Sequence, residues 1–208
     1  MAKPPENTAI IAALVLAAGF SRRFGAADKL VADFADGPDG SKSETVLSRS
    51  LAAYHAAPLH YRLAVVQPNS PLSRICAAAG FDPVENPQAA DGMGTSIACG
   101  LAALMHLDTP PSHVLIGLAD MPQVQPHTVA TLCAAAGTAS IVLPCHDGQA
   151  GHPRLFAERH FADLRQLTGD TGGKSIIAAC HDVNRLAVDD AAVLLDIDTP
   201  QHLADAQS

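Results

Sequence analysis

One loop near the amino end of the chain combines small residues with the cations that chemistry on a phosphate requires. It reads LAAGFSRRFGAADKL over residues 16–30. The two alanines and Gly19 leave backbone N–H groups uncovered, and such groups bind phosphate oxygens. Arg22 and Arg23 could neutralise a phosphate chain, while Lys29 could reach the phosphoryl group under attack, where negative charge develops in the transition state. The alternative is a tight strand-to-helix turn with solvated arginines.

Two further stretches place carboxylates where a cation would be needed. Asp120 comes just past an apolar run, HVLIGLA, and a carboxylate there is costly unless it is exposed at a cleft or neutralised. A magnesium ion that bridges phosphates would neutralise it, whereas the alternative is an aspartate that starts a turn before Pro122. Asp196 and Asp198 lie two positions apart in VLLDIDTP, so a strand would place both on one face. Two such carboxylates repel each other unless a cation lies near them.

A glycine-rich stretch, DGMGTSIACGLAAL, predicts a helix that begins with small polar residues. Gly94, Thr95 and Ser96 lie at its start. A helix amino end with such residues is a ready site for an anion or a carbonyl. Ordinary capping of the helix by the hydroxyl groups explains the same residues and can coexist with binding.

Two later turns are unusual for a generic nucleotide-binding fold. Gly151, His152 and Pro153 form a rigid turn whose imidazole could hydrogen-bond a heterocycle. Asp170 precedes a glycine pair at the start of a helical stretch and could contact a phosphate or a pterin. Taken alone, each of these stretches is more simply a structural turn.

The apolar pattern predicts the elements that position these loops. Short apolar runs alternate with amphipathic ones, which predicts an α/β fold: a three-layer, mostly parallel twisted sheet with helices on both faces. Ligands then bind beyond the carboxyl ends of the strands. The predicted strands are 9–16, 62–67, 113–119, 139–144 and 192–197, and the predicted helices are 44–57, 71–80, 94–107 and 127–137.

Length and composition favour one domain. The 208 residues, 48% of them hydrophobic, predict a single domain over 1–208 with an aliphatic core, interrupted by a mobile surface insertion at about 33–44. The net charge of −8 argues against a nucleic-acid surface, because phosphate backbones require clustered Lys and Arg. No apolar run is long enough to span a membrane. Five scattered cysteines without CxxC spacing predict buried thiols in a reducing cytoplasm.

The first loop also carries a family resemblance. LAAGFSRRFGAADKL resembles the LAAGxSxRxG signature of the MobA-like nucleotidyltransferases, and the three residues between Gly25 and Lys29 fit the family spacing. LADMP and DIDTP resemble the metal-binding segments of the family, while GMGTS, GHP and GDxG resemble the branch that includes the cytidylyltransferases of the molybdenum cofactor. The resemblance covers residues 10 to about 205.

The resemblance implies roles for residues along the whole chain. It implies catalytic roles for Arg22 and Lys29, metal binding by Asp120 and Asp198, and Asp196 as the alternative to Asp198. It implies nucleotide binding by Leu16, Ala17, Ala18, Gly19, Ser21, Arg22, Lys29, Gly94, Thr95 and Ser96. It implies acceptor binding by Gly151, His152, Pro153 and Asp170.

The implied reaction is a transfer of CMP from CTP to the terminal phosphate of the molybdenum-pterin cofactor, with release of pyrophosphate. Mg²⁺ is the implied cofactor, with Mn²⁺ as the alternative. A chaperone or an apo molybdenum hydroxylase is the implied receiver of the product. Within the same fold, a guanylyltransferase or a transferase for another phosphorylated acceptor remains open. A non-catalytic nucleotide-binding regulator is disfavoured by the presence of Arg22, Lys29, Asp120 and Asp198. A Rossmann-type oxidoreductase or a P-loop kinase is disfavoured because neither glycine spacing occurs.

Overall fold

An eight-stranded sheet forms the centre of the computed structural model, which describes residues 9–20, 24, 28–35, 44–170 and 172–207. In chain order the described strands are β1 Ile11–Leu16, β2 Asp33–Ala35, β3 Glu44–Thr45, β4 Tyr61–Val66, β5 Asp82–Glu85, β6 His113–Leu118, β7 Ile141–His146, β8 Gln149–Ala150, β9 Arg154–Ala157 and β10 Val183–Ala187. The order across the main sheet is β10-β7-β9-β6-β1-β4-β5, with β8 paired to β7, while β2 and β3 form a separate hairpin.

The central strand β1 lies between two parallel neighbours. Leu14 is in register with Leu63 of β4 on one side and with Ile116 of β6 on the other. The pairs β4–β5 and β7–β10 are also parallel, whereas β9 runs antiparallel to both β6 and β7. The mostly parallel sheet predicted from the apolar runs is therefore confirmed, with β9 as the inverted strand in its interior.

Helices cover both faces of the sheet. The described helices are α1 Val46–Ala52, α2 Leu72–Ala78, α3 Met93–Met105, α4 Pro126–Ala134, α5 Phe161–Leu164, α6 Lys174–Ala179 and α7 Pro200–Ala206. Successive residues of a strand point to opposite faces, and β1 follows this rule. Ala13 and Val15 pack in a core cluster with α1, α2 and α4, whereas Ala12 and Leu14 pack in a second cluster with α3 and α5. The predicted three-layer architecture is confirmed.

The strand predicted at 192–197 is wrong. Residues Ala191–Leu194 form a short 3-10 helix, because the carboxylate of the buried Asp190 accepts a hydrogen bond from the N–H of Ala192 and caps the turn. Burial of Ala192 and Val193 explains why this run has the apolar composition of a strand. The two aspartates that follow are consequently not arranged by strand alternation.

The bounds of the predicted insertion also differ from the structure. Its ends are ordered, since Asp33–Ala35 pairs with Glu44–Thr45 in an antiparallel hairpin. Residues 36–43 lie outside the described part of the chain, so their mobility stays a prediction. Helix α1 begins directly after this hairpin, where Thr45 and Ser48 form a reciprocal capping box.

The cysteines do not form disulfides in this fold. All five cysteines are free thiols, of which Cys76, Cys133 and Cys145 are buried. Cys99 and Cys180 are partly exposed, so the prediction of buried thiols holds for three of the five. Among the described residues, no helix has the length and apolarity that crossing a membrane requires.

Candidate active site

A lysine from the amino end of the chain lies between two aspartates from its second half. The ammonium of Lys29 is 2.7 Å from Oδ2 of Asp120 and 3.1 Å from Oδ1 of Asp198. Lys29 begins a short 3-10 helix that is capped by the carboxylate of Asp28. Asp120 follows the carboxyl end of β6, the edge at which a parallel sheet binds ligands. The structure thus brings together three of the residues that the sequence singled out.

Asp196 completes this group. One carboxylate oxygen from each of Asp120, Asp196 and Asp198 lies within 4.8 Å of the others. The N–H of Ile197 donates a 2.8 Å hydrogen bond to the carbonyl of Asp120, which holds the segment with both later aspartates against the end of β6. We call Lys29 and these three aspartates the carboxylate–lysine centre.

The electrostatics of the centre suit a bound cation. Burial disfavours the charged form of Asp120 and raises its pKa, although the charge of Lys29 opposes the shift. Burial by itself lowers the pKa of Lys29, but Asp120 and Asp198 outweigh it, so the net pKa is raised. Within the described residues, Oδ1 of Asp120 is buried without a hydrogen-bond partner. An oxygen-rich set with an unsatisfied buried carboxylate oxygen fits Mg²⁺ or Mn²⁺, which bind through carboxylates.

A cavity of about 360 Å³ opens beside the centre, and part of the first loop lines it. Leu16, Ala18 and Gly19 lie in its wall, together with Ser96 from the amino end of α3. Ala17 is buried beneath the loop, where its N–H donates to the carbonyl of Val65. Side chains and backbone of the predicted nucleotide-binding loop therefore face the same cavity as Asp120 and Asp198.

Three of the predicted loop residues lie outside the described part of the chain. These are Ser21, Arg22 and Arg23, so the catalytic role implied for Arg22 and the charge neutralisation by both arginines stay predictions. The neighbouring Gly19 is described and exposed, and a Cβ built on it meets no atom of the described residues within 4 Å. Gly19 is therefore required neither by packing nor by its backbone conformation, which leaves room for a ligand to approach.

Gly94 and Thr95 have packing roles instead of a place in the cavity wall. A Cβ on Gly94 would lie 2.7 Å from the backbone nitrogen of Thr168, and the N–H of Gly94 donates to the carbonyl of Gly169. The hydroxyl of Thr95 is buried and donates to backbone carbonyls, while Asn86 donates to it. The Gly94 contacts join the start of α3 to the 167–170 turn, and the Thr95 hydrogen bonds join it to the preceding 86–92 segment.

A second cavity, of about 310 Å³, adjoins the first and contains the residues predicted to bind an acceptor. Gly151, His152 and Asp170 line it, whereas Pro153 is buried and lies outside the lining. Leu16, Met93, Leu118, Asp170 and Asp196 line both cavities. The two cavities therefore meet beside the carboxylate–lysine centre.

Close backbone contacts connect the second cavity to the centre. A Cβ on Gly151 would overlap the carbonyl oxygen of Val193, and the N–H of His152 donates to that oxygen at 2.9 Å. Val193 belongs to the 3-10 turn that precedes Asp196 and Asp198. The glycine is required here by the close approach of two backbones, so GHP has a structural role whatever it binds.

Sequence reasoning missed Arg154 as a feature of this cavity. Arg154 follows the predicted turn by one residue and lines the cavity with His152. The signal available in the sequence was a basic residue in a chain that has only 13 of them. Its position was hidden because β9, which it starts, was not predicted as a strand.

Comparison with protein families gives a match over most of the chain. A model described as "MobA-like NTP transferase domain" matches residues 13–184. This range includes the first loop, Asp120 and both cavity-lining turns, and it ends before Asp196 and Asp198. No curated protein matches the chain.

Solved structures show the same architecture. Rv0371c from Mycobacterium tuberculosis H37Rv is 25% identical, with a TM-score of 0.76 over 97% of this chain and 99% of that one. Its homologue from Mycobacterium sp. strain JC1 is 28% identical, with a TM-score of 0.74 over 94% and 96% of the two chains. Rv0371c has also been solved as a complex with manganese, which is 25% identical with a TM-score of 0.73 over 95% of this chain and 98% of that chain.

Proposed function

We propose a reaction for this chain from the premise that it belongs to the MobA-like NTP transferase family. The reaction is the transfer of CMP from CTP to the terminal phosphate of the molybdenum-pterin cofactor, with release of pyrophosphate. The observation that carries the proposal is the carboxylate–lysine centre at the junction of two cavities, since a group transfer needs a donor and an acceptor on either side of the reacting atom.

Asp120 and Asp198 would hold the divalent cation, with Asp196 as the further carboxylate within reach. When bound, Mg²⁺ would neutralise the phosphate oxygens of the nucleotide and stabilise the charge on the departing pyrophosphate. The unsatisfied Oδ1 of Asp120 supports this assignment, as does the manganese complex of Rv0371c. Mg²⁺ is our choice for this chain, and Mn²⁺ is the alternative.

The chain's own residues would act by positioning and charge. The acceptor phosphate is already ionised at neutral pH, so one of its oxygens can attack the α-phosphorus without a general base. The new O–P bond forms in line with the bond to the β-phosphate, whose electron pair leaves with pyrophosphate. Lys29, whose raised pKa keeps it protonated, would stabilise the charge that develops on the transferred group. Arg22 would neutralise the phosphate chain.

The lining of the second cavity supports the choice of CTP over GTP as the nucleotide substrate. The GHP and GDxG stretches, which the resemblance associates with cytidylyltransferases, both contribute to the second cavity through Gly151, His152, Asp170 and Gly172. We assign this cavity to the molybdenum-pterin acceptor. We place the reaction in the cytoplasm and expect the product to pass to a chaperone or an apo molybdenum hydroxylase.

The test is pyrophosphate release with Mg²⁺ and the molybdenum-pterin acceptor, with CTP, GTP, ATP and UTP compared in parallel. Turnover with CTP and little with GTP would support the proposal. A preference for GTP would support the same transfer reaction but with GTP instead of CTP as the nucleotide substrate. Absence of release with every nucleotide, from folded protein and authentic acceptor, would contradict the reaction.

Asp120→Asn tests the centre in the same assay. The substitution keeps the shape of the side chain but removes the charge, so we expect metal-dependent turnover to disappear while the melting temperature changes little. Asp108→Asn is the matched control, since Asp108 is exposed in the turn after α3. Loss of folding in Asp120→Asn, with Asp108→Asn normal, would assign Asp120 a structural role instead.

A further inference from the structure

The second cavity contains a partly buried cation without a carboxylate partner. Arg154 starts β9 in register with Ile116 of β6, and its Nε donates a 3.0 Å hydrogen bond to the carbonyl of Gly151. Over the described ranges of the chain, no aspartate or glutamate forms an ion pair with Arg154. Arg154 lines the cavity, and among the described residues its one hydrogen bond is the one from Nε, so its remaining guanidinium donors have no anion there.

The positive charge of a partly buried guanidinium is unfavourable unless an anion neutralises it. Burial lowers the pKa of Arg154, which shows that the protein surroundings disfavour its charged form. A buried charge costs free energy unless it is paired, and removing either partner of such a pair leaves the other charge uncompensated. A ligand anion would supply the missing partner, and the planar guanidinium matches the oxygens of a phosphate.

His152 adds a second unsatisfied group to the same cavity. Its Nδ1 is buried and has no hydrogen-bond partner among the described residues. Burial lowers the pKa of His152 to about 3, and the charge of Arg154 adds to that effect. The ring is consequently neutral at physiological pH, so one of its nitrogens accepts a hydrogen bond. A ligand N–H or O–H next to the anion would satisfy it.

The remaining charges of the cavity leave this role to Arg154. Asp170 and Asp196 are exposed, and the carboxylate of Asp170 accepts a hydrogen bond from the N–H of Met93. Lys174 is also exposed at the cavity. Arg154 is less exposed than all three, so it interacts with an anion where water screens the charge least.

From these observations we propose that Arg154 binds the phosphate of the acceptor and thereby selects phosphorylated acceptors, while His152 accepts a hydrogen bond from an N–H or O–H of the same molecule. The ligand class is a phosphate monoester that carries a hydrogen-bond donor. This inference rests on the proposed transfer reaction, because it takes the second cavity as the acceptor site.

The first test uses inorganic phosphate as the probe and does not depend on the identity of the acceptor. The nucleotide cavity is filled with Mg²⁺ and α,β-methylene-CTP, and phosphate binding is followed by the broadening of its ³¹P NMR signal. We expect saturable binding to the wild-type protein and a loss of at least about tenfold in affinity for Arg154→Met, the size expected for one charge-assisted contact. Arg165→Met, at an exposed position after α5, is the control and should bind phosphate normally.

Arg154→Lys is the control that separates a loss of phosphate binding from a folding defect. It keeps the positive charge but lacks the planar pair of donors, so we expect intermediate affinity with a wild-type melting temperature. Equal phosphate binding by the wild-type protein and folded Arg154→Met would overturn the proposal. Failure of the CTP analogue to bind would instead count against the transfer reaction, so the two failures are distinguishable.

The second test compares the molybdenum-free pterin monophosphate with its dephosphorylated form by pterin fluorescence, without nucleotide. We expect the wild-type protein to prefer the phosphorylated form by at least about tenfold and Arg154→Met to lose that preference. His152→Gln should lower the affinity for the phosphorylated and the dephosphorylated pterin by a similar factor, because the hydrogen bond to His152 does not involve the phosphate. A preference that survives in Arg154→Met would overturn the role of Arg154.

Discussion

Lys29 donates a 2.7 Å hydrogen bond to Asp120, although 91 residues separate the two in the chain. The lysine also reaches Asp198 at 3.1 Å, so one ammonium group neutralises part of a group of three carboxylates. Without this cation the three carboxylates would repel one another at close range. Lys29 therefore occupies the position from which it would interact with any cation that those carboxylates bind.

We predict opposite effects of Lys29→Met on turnover and on metal binding. Turnover should fall about a hundredfold or more, because a group that stabilises the transition state is lost. Binding of Mn²⁺ without nucleotide, measured by EPR titration, should become tighter, because a competing positive charge leaves the carboxylates. Weaker Mn²⁺ binding by a folded Lys29→Met protein would mean that the lysine supports the metal site instead of competing with it.

The two later aspartates should contribute unequally to the metal site. Asp198 contacts Lys29 and is partly buried, whereas Asp196 is exposed. Asp198→Asn should weaken Mn²⁺ binding by at least about tenfold, a loss that even outer-shell partners of a metal typically cause. Asp196→Asn should cause a smaller loss, and the exposed control Asp189→Asn should cause none. A larger loss for Asp196→Asn than for Asp198→Asn would reverse the assignment.

Gly94 and Gly19, which are both predicted to bind the nucleotide, provide a matched pair of substitutions. Gly94→Ala should destabilise the fold by about 1–3 kcal/mol, because the added Cβ would meet the backbone of Thr168 at 2.7 Å. Gly19→Ala should leave the melting temperature unchanged, because its Cβ meets no atom of the described part of the chain within 4 Å. Calorimetric titration with Mg²⁺ and CTP should nevertheless show weaker binding for Gly19→Ala. Unchanged affinity would remove Gly19 from the nucleotide site.

His152 should make stability depend on pH. Its folded pKa of about 3 lies below the ordinary value of 6.5, so between these two values the unfolded chain binds a proton that the folded chain does not. The free energy of unfolding is therefore complete above the unfolded pKa and falls as the pH drops toward 3. Between pH of about 7.5 and 5.5 this one group should cost roughly 1 kcal/mol.

Urea unfolding at the two pH values measures this effect. His152→Gln should lose less stability on acidification than the wild-type protein, by roughly 1 kcal/mol. The exposed control His127→Gln should behave like the wild type. Burial also lowers the pKa of His113 and of His160, but both are present in all three proteins and so cancel in the comparison. An identical loss in wild-type and His152→Gln proteins would show that the ring is not held neutral in the folded state.

The long apolar strands were accessible from the sequence because burial on both sheet faces leaves a continuous apolar run. The predicted runs at 9–16, 113–119 and 139–144 correspond to β1, β6 and β7 within two residues. The strands β5 and β10 escaped prediction because they are partly exposed and their runs contain charged or polar residues. The inverted β9 followed a turn motif too closely to be recognised as a strand.

By itself, the sequence determined the alternation of strands and helices and the placement of Asp120 directly after a buried strand, because both follow from local apolar periodicity. Only the tertiary structure decided that Asp196 and Asp198 both approach Asp120, through the Ile197 hydrogen bond to its carbonyl and not through strand alternation. It also decided that Arg154 and His152 line one cavity while Gly94 and Thr95 pack away from the other. These relationships depend on backbone segments that are distant in the chain and meet at single carbonyl groups. Local sequence patterns do not predict such contacts, because they reflect only the neighbours along the chain.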